Sequence, residues 1–381
     1  MHDVTISVWN RFHSFPLIEG LVSGGFDVMT LGSTRRKAVC AKSYTSWLSG
    51  LMTQASYQSP KFRDSLTEIA LGTYQRFATK HALKSRCFWG WSNHHFTAFQ
   101  KAHAAGIPVI LESGSTHVSW ARNILAKEHA RHGLKMDRSL IDRLTPRMLA
   151  EYEIADRICV PNSFVAKTFE HYGVPAKKLA INPYGVDVEF WRPEKQPATV
   201  PEGKFTVIFA GQFMLRKGAF YLLEAWRQAE LRDAELWIVG PVLDEARPVL
   251  SDLPGNVRVL GGKTHTELLT LYRNCDVYIL PSLEEGMARS ILEAMAAGLP
   301  VIVTEETGVA DIVRHGEDGW IVAAKSSDAI RAALQEAATD RTLTKTRGNA
   351  ARQRVQPYTW KAYGQRAASF LESIVVPGKE S

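Results

Sequence analysis

The segment from Val277 to Thr304 restricts the fold of this chain more than any other stretch of its sequence. It reads VYILPSLEEGMARSILEAMAAGLPVIVT, in which two short apolar runs flank a segment rich in Ala, Leu and Met. Gly298-Leu299-Pro300 ends the middle segment, because glycine closes a helix and proline cannot continue one. A strand, a helix and a second strand within so short a length form a parallel βαβ unit. The segment therefore predicts an α/β domain built on a parallel sheet.

The length of the chain, 381 residues, exceeds one ordinary core and suits two domains of about 170–200 residues each. Apolar runs at residues 4–9, 107–112 and 205–210 have the composition of buried parallel strands. Residues 191–204, WRPEKQPATVPEGK, contain three prolines and few apolar residues. This composition predicts a linker between two α/β domains.

Two carboxylates stand in the first segment, Glu285 before the predicted helix and Glu293 inside it. If the helix begins near Ala288, its free backbone N–H groups face the same crevice as both carboxylates. Eight residues of mixed turn and helix span roughly 10–12 Å. That span matches a ligand with hydroxyl groups at both ends and a diphosphate between them, such as a nucleotide sugar. The alternative is a solvated surface helix that carries two unrelated acids.

The sequence around these carboxylates resembles that of a known family. EGMARSILEAMAAGLPV, with Pro281-Ser282 before it, is similar to the signature of the GT4-type retaining glycosyltransferases (glycosyl transferases group 1), which have the GT-B fold. Residues 155–187, ADRICVPNSFV…YGVP…INPYGVD, resemble the passage between the two domains of that family. The resemblance implies two Rossmann-like, doubly wound α/β domains that face each other across a cleft. Their implied positions are 1–190 for acceptor binding, 191–204 for the linker, 205–356 for nucleotide-sugar binding and about 360–374 for a helix that packs back on the first domain.

A glycine turn follows the predicted strand 205–210. Gly211 begins it, and a glycine turn that leads into a helix N-terminus can cradle a phosphate. The next residues resemble the GR…KG element of the family, although Gln212 stands where most members have arginine. Lys217 is therefore our first choice for a diphosphate contact and Arg216 the second. Plain surface charge at the start of a helix is the alternative.

The resemblance also assigns roles to residues in the segment that begins at Val277. It implies that Glu293 holds the ribose hydroxyls of the nucleotide. Glu285 is implied to be a catalytic residue that holds a hydroxyl of the donor sugar. Three backbone amides are implied to hold the diphosphate, those of Gly286, Met287 and Ala288.

His117 lies just beyond the predicted strand 107–112, where open α/β sheets place their ligands. The resemblance puts it near the donor sugar and the reacting centre, as a second catalytic residue, whereas a lone histidine is usually a structural hydrogen-bonding group. The loop after the first strand lacks G-x-G-x-x-G, so no dinucleotide site is predicted there. Arg11 and His13 in that loop are predicted on the acceptor side. The resemblance implies no metal and no cofactor, and the adjacent His94 and His95 are a poor metal site because neighbouring side chains point different ways.

Positive charge is concentrated in the first half of the chain. Residues 1–190 contain 23 Lys and Arg against 15 Asp and Glu, a balance of +8, and the remainder contains 23 against 24. This asymmetry favours an anionic partner, a membrane surface or a lipid-phosphate acceptor, over a nucleic acid. A merely solubilising surface is the alternative. Residues 35–37 are basic and precede Leu48 and Leu51, which could rest on a membrane or face a core.

No apolar run approaches 18 residues and no signal peptide is recognisable, so we expect a cytoplasmic protein with peripheral contact at the inner face of the membrane. We expect it to transfer a sugar from a nucleotide-diphospho-sugar to a saccharide or lipid-linked acceptor with retention of anomeric configuration. The family suggests cell-surface polysaccharide or glycolipid synthesis. The rival functions are a sugar-nucleotide epimerase of the same fold and a catalytically silent nucleotide-binding subunit.

Overall fold

A computed structural model describes residues 1–9, 13–32, 42–58, 63–136, 139–193 and 203–375. Within these ranges the chain forms two parallel sheets surrounded by helices, one of seven strands and one of six. This confirms the predicted α/β class and the two doubly wound, Rossmann-like domains. Arg11, the basic residues 35–37 and most of the predicted linker (194–202) lie outside the described residues.

The first sheet has the strand order β3-β2-β1-β4-β5-β6-β7, and every pair is parallel. Its strands are β1 (Val4–Val8), β2 (Val28–Gly32), β3 (Lys42–Thr45), β4 (Phe88–Trp91), β5 (Val109–Glu112), β6 (Arg157–Val160) and β7 (Leu179–Ile181). The helices of this half are α1 (Ser14–Ser23), α2 (Trp47–Gln58), α3 (Arg63–His81), α4 (Phe96–Ala104), α5 (Val118–Arg131), α6 (Ser139–Ile154) and α7 (Ser163–His171).

The second sheet has the order β10-β9-β8-β11-β12-β13, again all parallel. Its strands are β8 (Phe205–Ala210), β9 (Ala234–Val239), β10 (Val257–Gly261), β11 (Val277–Leu280), β12 (Val301–Thr304) and β13 (Gly319–Val322). The remaining helices are α8 (Ala219–Ala229), α9 (His265–Arg273), α10 (Arg289–Ala296), α11 (Ser327–Thr339), α12 (Arg341–Val355) and α13 (Trp360–Val375).

Both sheets reverse their strand order at one point, β1 against β4 in the first and β8 against β11 in the second. The central strands β1, β8 and β11 are buried along their whole length, as expected when helices cover both faces of a parallel sheet. Ligands of open α/β sheets bind beyond the carboxyl ends of strands at such a reversal. The loops after β8 and β11 therefore lie where open α/β sheets usually bind their ligands.

The predicted strand–helix–strand segment forms β11, α10 and β12. Helix α10 begins at Arg289 with Ala288 as its N-cap, as the sequence predicted. Gly298 follows the helix in the left-handed region at φ +86°, which explains why glycine ends it.

Residues 42–81 were the least predictable part of the chain. Strand β3 was not predicted, and its side chains are exposed or half-buried, so no apolar run marks it. On α2, Leu48 and Leu51 are 45% and 55% exposed, whereas Met52 packs against the core of the first domain. The helix thus shows an apolar face to solvent and another to the core. None of the helices in the described ranges is long and apolar enough to cross a membrane.

The C-terminal helix α13 crosses α1 of the first domain at a pair of glycines. A Cβ on Gly364 would lie 2.7 Å from both Gly20 Cα and the carbonyl oxygen of Pro16. These are backbone atoms, which cannot turn aside as a flexible side chain can. The close approach of the two helices therefore requires glycine at position 364.

We predict that Gly364→Ala lowers the free energy of unfolding by about 1–3 kcal/mol, because overpacking forces the two helices apart. Gly72→Ala is the matched control, since a Cβ on that helical glycine has no atom within 4 Å. It should raise the free energy of unfolding by about 0.5–1 kcal/mol. Denaturant titrations measure both, and an unchanged or stabilised Gly364→Ala protein would contradict this account of the crossing.

Candidate active site

Two loops meet at the strand reversal of the second sheet. The first, residues 211–218, follows β8 and is called the basic turn; the second, residues 281–288, follows β11 and is called the acidic turn. The amide of Leu283 donates to the carbonyl oxygen of Arg216 over 2.8 Å. A Cβ on Gly218 would overlap the carbonyl oxygen of Pro281, and this glycine has a φ of +77°. The two turns are thus in direct backbone contact.

Two cations of the basic turn pair with two carboxylates of the acidic turn. Lys217 Nζ lies 2.7 Å from Glu285 Oε1, and Arg216 Nη2 lies 2.8 Å from the same oxygen. Arg216 Nε donates to Glu284 Oε2 over 2.8 Å. The structure therefore brings together Arg216, Lys217 and Glu285, three of the residues predicted for the donor site.

The charges in this cluster are largely withdrawn from water, with side-chain exposures of 2% for Glu284 and 10% for Glu285. Burial alone would lower the pKa of Arg216, but the carboxylates of Glu284 and Glu285 outweigh it and raise that pKa. The guanidinium therefore stays charged. Ion pairs at this depth are strong only when each charge keeps its partners.

Glu293, inside α10, lines a cavity of about 300 Å³ that Arg289 at the start of the helix also lines. Burial raises the pKa of Glu293, against the opposing effect of Arg289 and His265. Aromatic and polar side chains share the cavity wall. The lining residues are Gly185, Val186, Asp187, Phe190, Trp191, His265, Arg289, Glu293 and Trp360.

The predicted backbone amides lie in the acidic turn, and one of them already has a partner. Ala288 N donates to the carbonyl oxygen of Thr307 over 3.3 Å. Gly286 is buried between the two domains, because a Cβ there would overlap the carbonyl oxygen of Gly114 in the loop after β5. The acidic turn therefore touches the first domain directly.

Hydrogen bonds continue this contact between the domains. Thr116 Oγ1 donates to Glu284 Oε1 over 2.5 Å, and Asn162 Nδ2 donates to the carbonyl oxygen of Gly286 over 2.5 Å. Ser163 N donates to Asp311 Oδ2 over 2.7 Å. The first domain thus approaches the acidic turn through residues that follow β5 and β6.

The ring of His117 lies inside the first domain. It stacks on Tyr172 with centroids 4.5 Å apart and also contacts Tyr152 and Phe169. Its Nδ1 accepts from Ser119 N over 3.2 Å and so caps α5. Burial, with a smaller contribution from His171, lowers the pKa of His117 to about 4. These contacts are those of a neutral structural histidine, and a role at the reacting centre stays a prediction.

His13 is also engaged within the first domain. Its Nε2 lies 2.9 Å from Glu112 Oε1, and both side chains are buried. Glu112 accepts two further hydrogen bonds, from Trp89 Nε1 over 3.0 Å and from the Tyr363 hydroxyl of α13 over 3.1 Å. This network joins α13 to the carboxyl end of β5. The acceptor-side role of His13 stays a prediction, as does that of Arg11, which lies outside the described residues.

Four residues that touch the acidic turn or its surroundings were missed as site residues, and they are Thr116, Asn162, Glu284 and Asp311. Glu284 stands directly before the predicted Glu285, and Asn162 lies in the recognised passage 155–187. No nearby sequence feature identifies Thr116 or Asp311 as site residues, because their hydrogen-bond partners are more than a hundred residues away in the chain. Within the described ranges, no group of three His, Cys, Asp or Glu side chains could hold a metal ion.

Comparison with known proteins shows which family model, which relatives and which solved structures this chain resembles. The family model described as "Glycosyl transferases group 1" matches residues 192–354. WcaL of Salmonella typhimurium, whose name assigns it to colanic acid biosynthesis, is 25% identical over 258 residues, which cover 64% of this chain and 63% of WcaL. The D-inositol 3-phosphate glycosyltransferase of Pseudarthrobacter chlorophenolicus is 30% identical over 60% of this chain and 58% of that protein. The chain thus spans less than two thirds of the length of these relatives.

Two solved structures resemble the whole chain. Sucrose-phosphate synthase from Thermosynechococcus elongatus superposes with a TM-score of 0.70 at 18% identity, over 99% of this chain and 100% of that one. Anabaena Alr3699/HepE in complex with UDP and glucose gives 0.66 at 16% identity, over 98% and 100%. At such identities the likeness concerns the fold alone. It confirms the predicted GT-B arrangement.

The contact of Gly286 with Gly114 yields a prediction about the cleft. Gly286→Ala should separate the two domains, because the added Cβ meets backbone atoms that cannot move independently. Small-angle X-ray scattering should show a larger radius of gyration, with the unfolding midpoint of each domain little changed. Gly255→Ala is the control, since a Cβ there has no atom within 4 Å. Identical scattering from Gly286→Ala and wild type would show that the contact does not hold the domains together.

Proposed function

We propose that this chain, which matches the model of the glycosyl transferases group 1 over residues 192–354, moves a sugar from a nucleotide-diphospho-sugar to a saccharide or lipid-linked acceptor. One observation carries the proposal: Lys217 and Arg216 converge at the acidic turn, while Glu293 lines a cavity farther along α10. A nucleotide diphosphate requires two parts in its binding site. Cationic side chains bind the diphosphate, and a cavity with a carboxylate binds the nucleoside.

The diphosphate would lie where the basic and acidic turns meet. Lys217 Nζ and Arg216 Nη2 both contact Glu285 Oε1, so a diphosphate can replace that carboxylate as their partner. Glu285 would then be free to accept a hydrogen bond from a hydroxyl of the donor sugar. The N-terminus of α10 adds its dipole to the same position.

The nucleoside would occupy the cavity of about 300 Å³. Glu293 can accept hydrogen bonds from two neighbouring ribose hydroxyls, and the aromatic wall formed by Trp191, Phe190 and Trp360 suits the flat base. HepE, a structural relative, binds UDP and UDP-glucose, which supports a nucleotide sugar as donor here. The base and the sugar are decided by the assay below.

Bond breaking places negative charge on the leaving nucleotide diphosphate. Lys217 and Arg216, held in a site with little water, stabilise that charge more than they stabilise the neutral sugar. Lys217 and Arg216 are held in position before the reaction begins, so they need not reorganise as the transition state forms. We propose retention of anomeric configuration on the resemblance to the family; NMR of the product anomer tests it.

We predict that slow hydrolysis of one donor among UDP-, GDP- and ADP-sugars identifies the substrate. Lys217→Ala should lower kcat roughly 100-fold or more, as removal of one transition-state donor does in other enzymes. Glu293→Ala should chiefly raise KM, because ribose contacts are equal in the ground and transition states. Lys101→Ala, an exposed lysine on α4, is the control and should leave both constants unchanged.

Other outcomes of this assay separate the rival functions. Conversion of the donor sugar to its epimer would indicate an epimerase. Binding of a donor without hydrolysis, and without transfer to any saccharide or lipid-linked acceptor, would indicate a silent subunit. If Lys217→Ala keeps full activity, the site is not the one described.

We also propose peripheral contact with an anionic membrane through the first domain, which suits a lipid-linked acceptor. The support is the +8 balance of residues 1–190 and the exposed Leu48 and Leu51 on α2. Vesicles containing anionic lipid should bind the protein at low salt and release it at 1 M salt, where screening acts within about 3 Å. Leu48→Ser with Leu51→Ser should weaken this binding, and equal binding to neutral vesicles would exclude the electrostatic part.

A further inference from the structure

We infer that Glu284 is a positioning residue that couples domain closure to the placement of the diphosphate-binding arginine. The inference rests on the proposed function for the role of Arg216. The geometry is a relay of three side chains, Thr116 in the first domain, Glu284 in the acidic turn and Arg216 in the basic turn.

Each oxygen of Glu284 has a different partner. Oε1 accepts from Thr116 Oγ1 over 2.5 Å across the domain boundary, and Oε2 accepts from Arg216 Nε over 2.8 Å. Arg216 Nε also donates to the Glu284 carbonyl oxygen over 3.1 Å. Thr116 is 1% and Glu284 2% exposed, so water does not compete well for these bonds.

This arrangement fixes Arg216 through Nε and leaves its Nη groups able to change partners when a ligand binds. Nε is held by Glu284, whereas Nη2 contacts Glu285, the carboxylate that the diphosphate would replace. A guanidinium anchored in this way can turn its two Nη groups to phosphate oxygens without losing its position. Glu284 therefore holds Arg216 at Nε while the Nη groups turn, and in this sense it is the pivot of Arg216. Thr116 can bond to Glu284 only while the two domains are closed.

A second carboxylate, that of Glu245, also links the basic turn to the first domain. Glu245 Oε2 lies 2.9 Å from His129 Nε2 on α5, and Glu245 Oε1 accepts from Leu215 N over 3.0 Å. Leu215 directly precedes Arg216. Two neighbouring residues of the basic turn, Leu215 and Arg216, are thus each tied to the first domain through a bridging carboxylate.

The chain contains a matched control for the relay. Tyr221 of α8 donates its hydroxyl to Glu128 Oε2 of α5 over 2.5 Å, which is also a hydroxyl-to-carboxylate bond across the domain boundary. Glu128 bonds to Lys325 and not to the basic turn. Tyr221→Phe therefore removes a domain contact of the same kind as Thr116→Val, but it leaves the partners of Arg216 in place.

The first test needs no ligand. Backbone amide exchange of residues 213–218, followed by mass spectrometry, should become faster in Thr116→Val, because the pivot of Arg216 is loosened. Exchange of the same segment should be unchanged in Tyr221→Phe and in Thr116→Ser, which keeps the hydroxyl. Equal exchange in Thr116→Val and wild type would overturn the inference, whatever the protein's activity.

The second test is the affinity for UDP, GDP and ADP, each titrated by calorimetry. For whichever binds wild type, we expect roughly tenfold weaker binding by Thr116→Val, which corresponds to about 1.4 kcal/mol. Tyr221→Phe should stay within about twofold of wild type, a difference of roughly 0.4 kcal/mol. Thr116→Val with Glu284→Gln should bind no more weakly than Glu284→Gln alone, because Thr116 acts on Arg216 only through Glu284.

The outcomes separate the two claims. Equal losses in Thr116→Val and Tyr221→Phe would overturn the relay, since closure alone would then explain the effect. If wild type binds none of the three nucleotides, the proposed function fails, and the exchange measurement still decides whether Glu284 links Thr116 to the basic turn.

Discussion

Two carboxylates stand side by side in the acidic turn, Glu284 and Glu285, and both are buried. Buried charges of like sign repel, and each also loses its hydration, so the turn needs cations close by. Arg216 and Lys217 provide them from the basic turn at 2.7–2.8 Å. This ion cluster fixes the two turns at the strand reversal, and the position of α10 follows from it.

The same cluster explains how an anion can bind there. Its cations are already fixed by carboxylates, so a diphosphate meets charges that are in position before it arrives. In the proposed function the anion would replace one carboxylate, Glu285, while Glu284 would keep its contacts with Arg216 and Thr116. In the proposed function, Lys217 and Arg216 would exchange Glu285 for the diphosphate as their partner, while Glu285 would stay in the site with a sugar hydroxyl as its new partner.

Prediction from the sequence succeeded where a signal is local. Apolar runs marked β1, β5, β8, β11 and β12, and the stop at Gly298 marked the end of α10, because burial and backbone conformation depend on near neighbours. Strand β3 was missed because it lies at the sheet edge and carries half-exposed polar side chains. The contacts of the His117 ring with Tyr152, Phe169 and Tyr172 could not be predicted, because they depend on residues distant in the sequence, and its role at the reacting centre stays a prediction.

From the amino-acid sequence alone one can predict the two parallel sheets, the position of the predicted donor-site residues after two strands, and the charge types that meet there. The apolar runs contain the information on the sheets, and the resemblance of the segments around Lys217, Glu285 and Glu293 to the family implies the donor site. Only the tertiary structure decided which side chains of the first domain reach the acidic turn. Thr116 and Glu284 are 168 residues apart in the chain, and their hydrogen bond exists only because two separately folded sheets face each other.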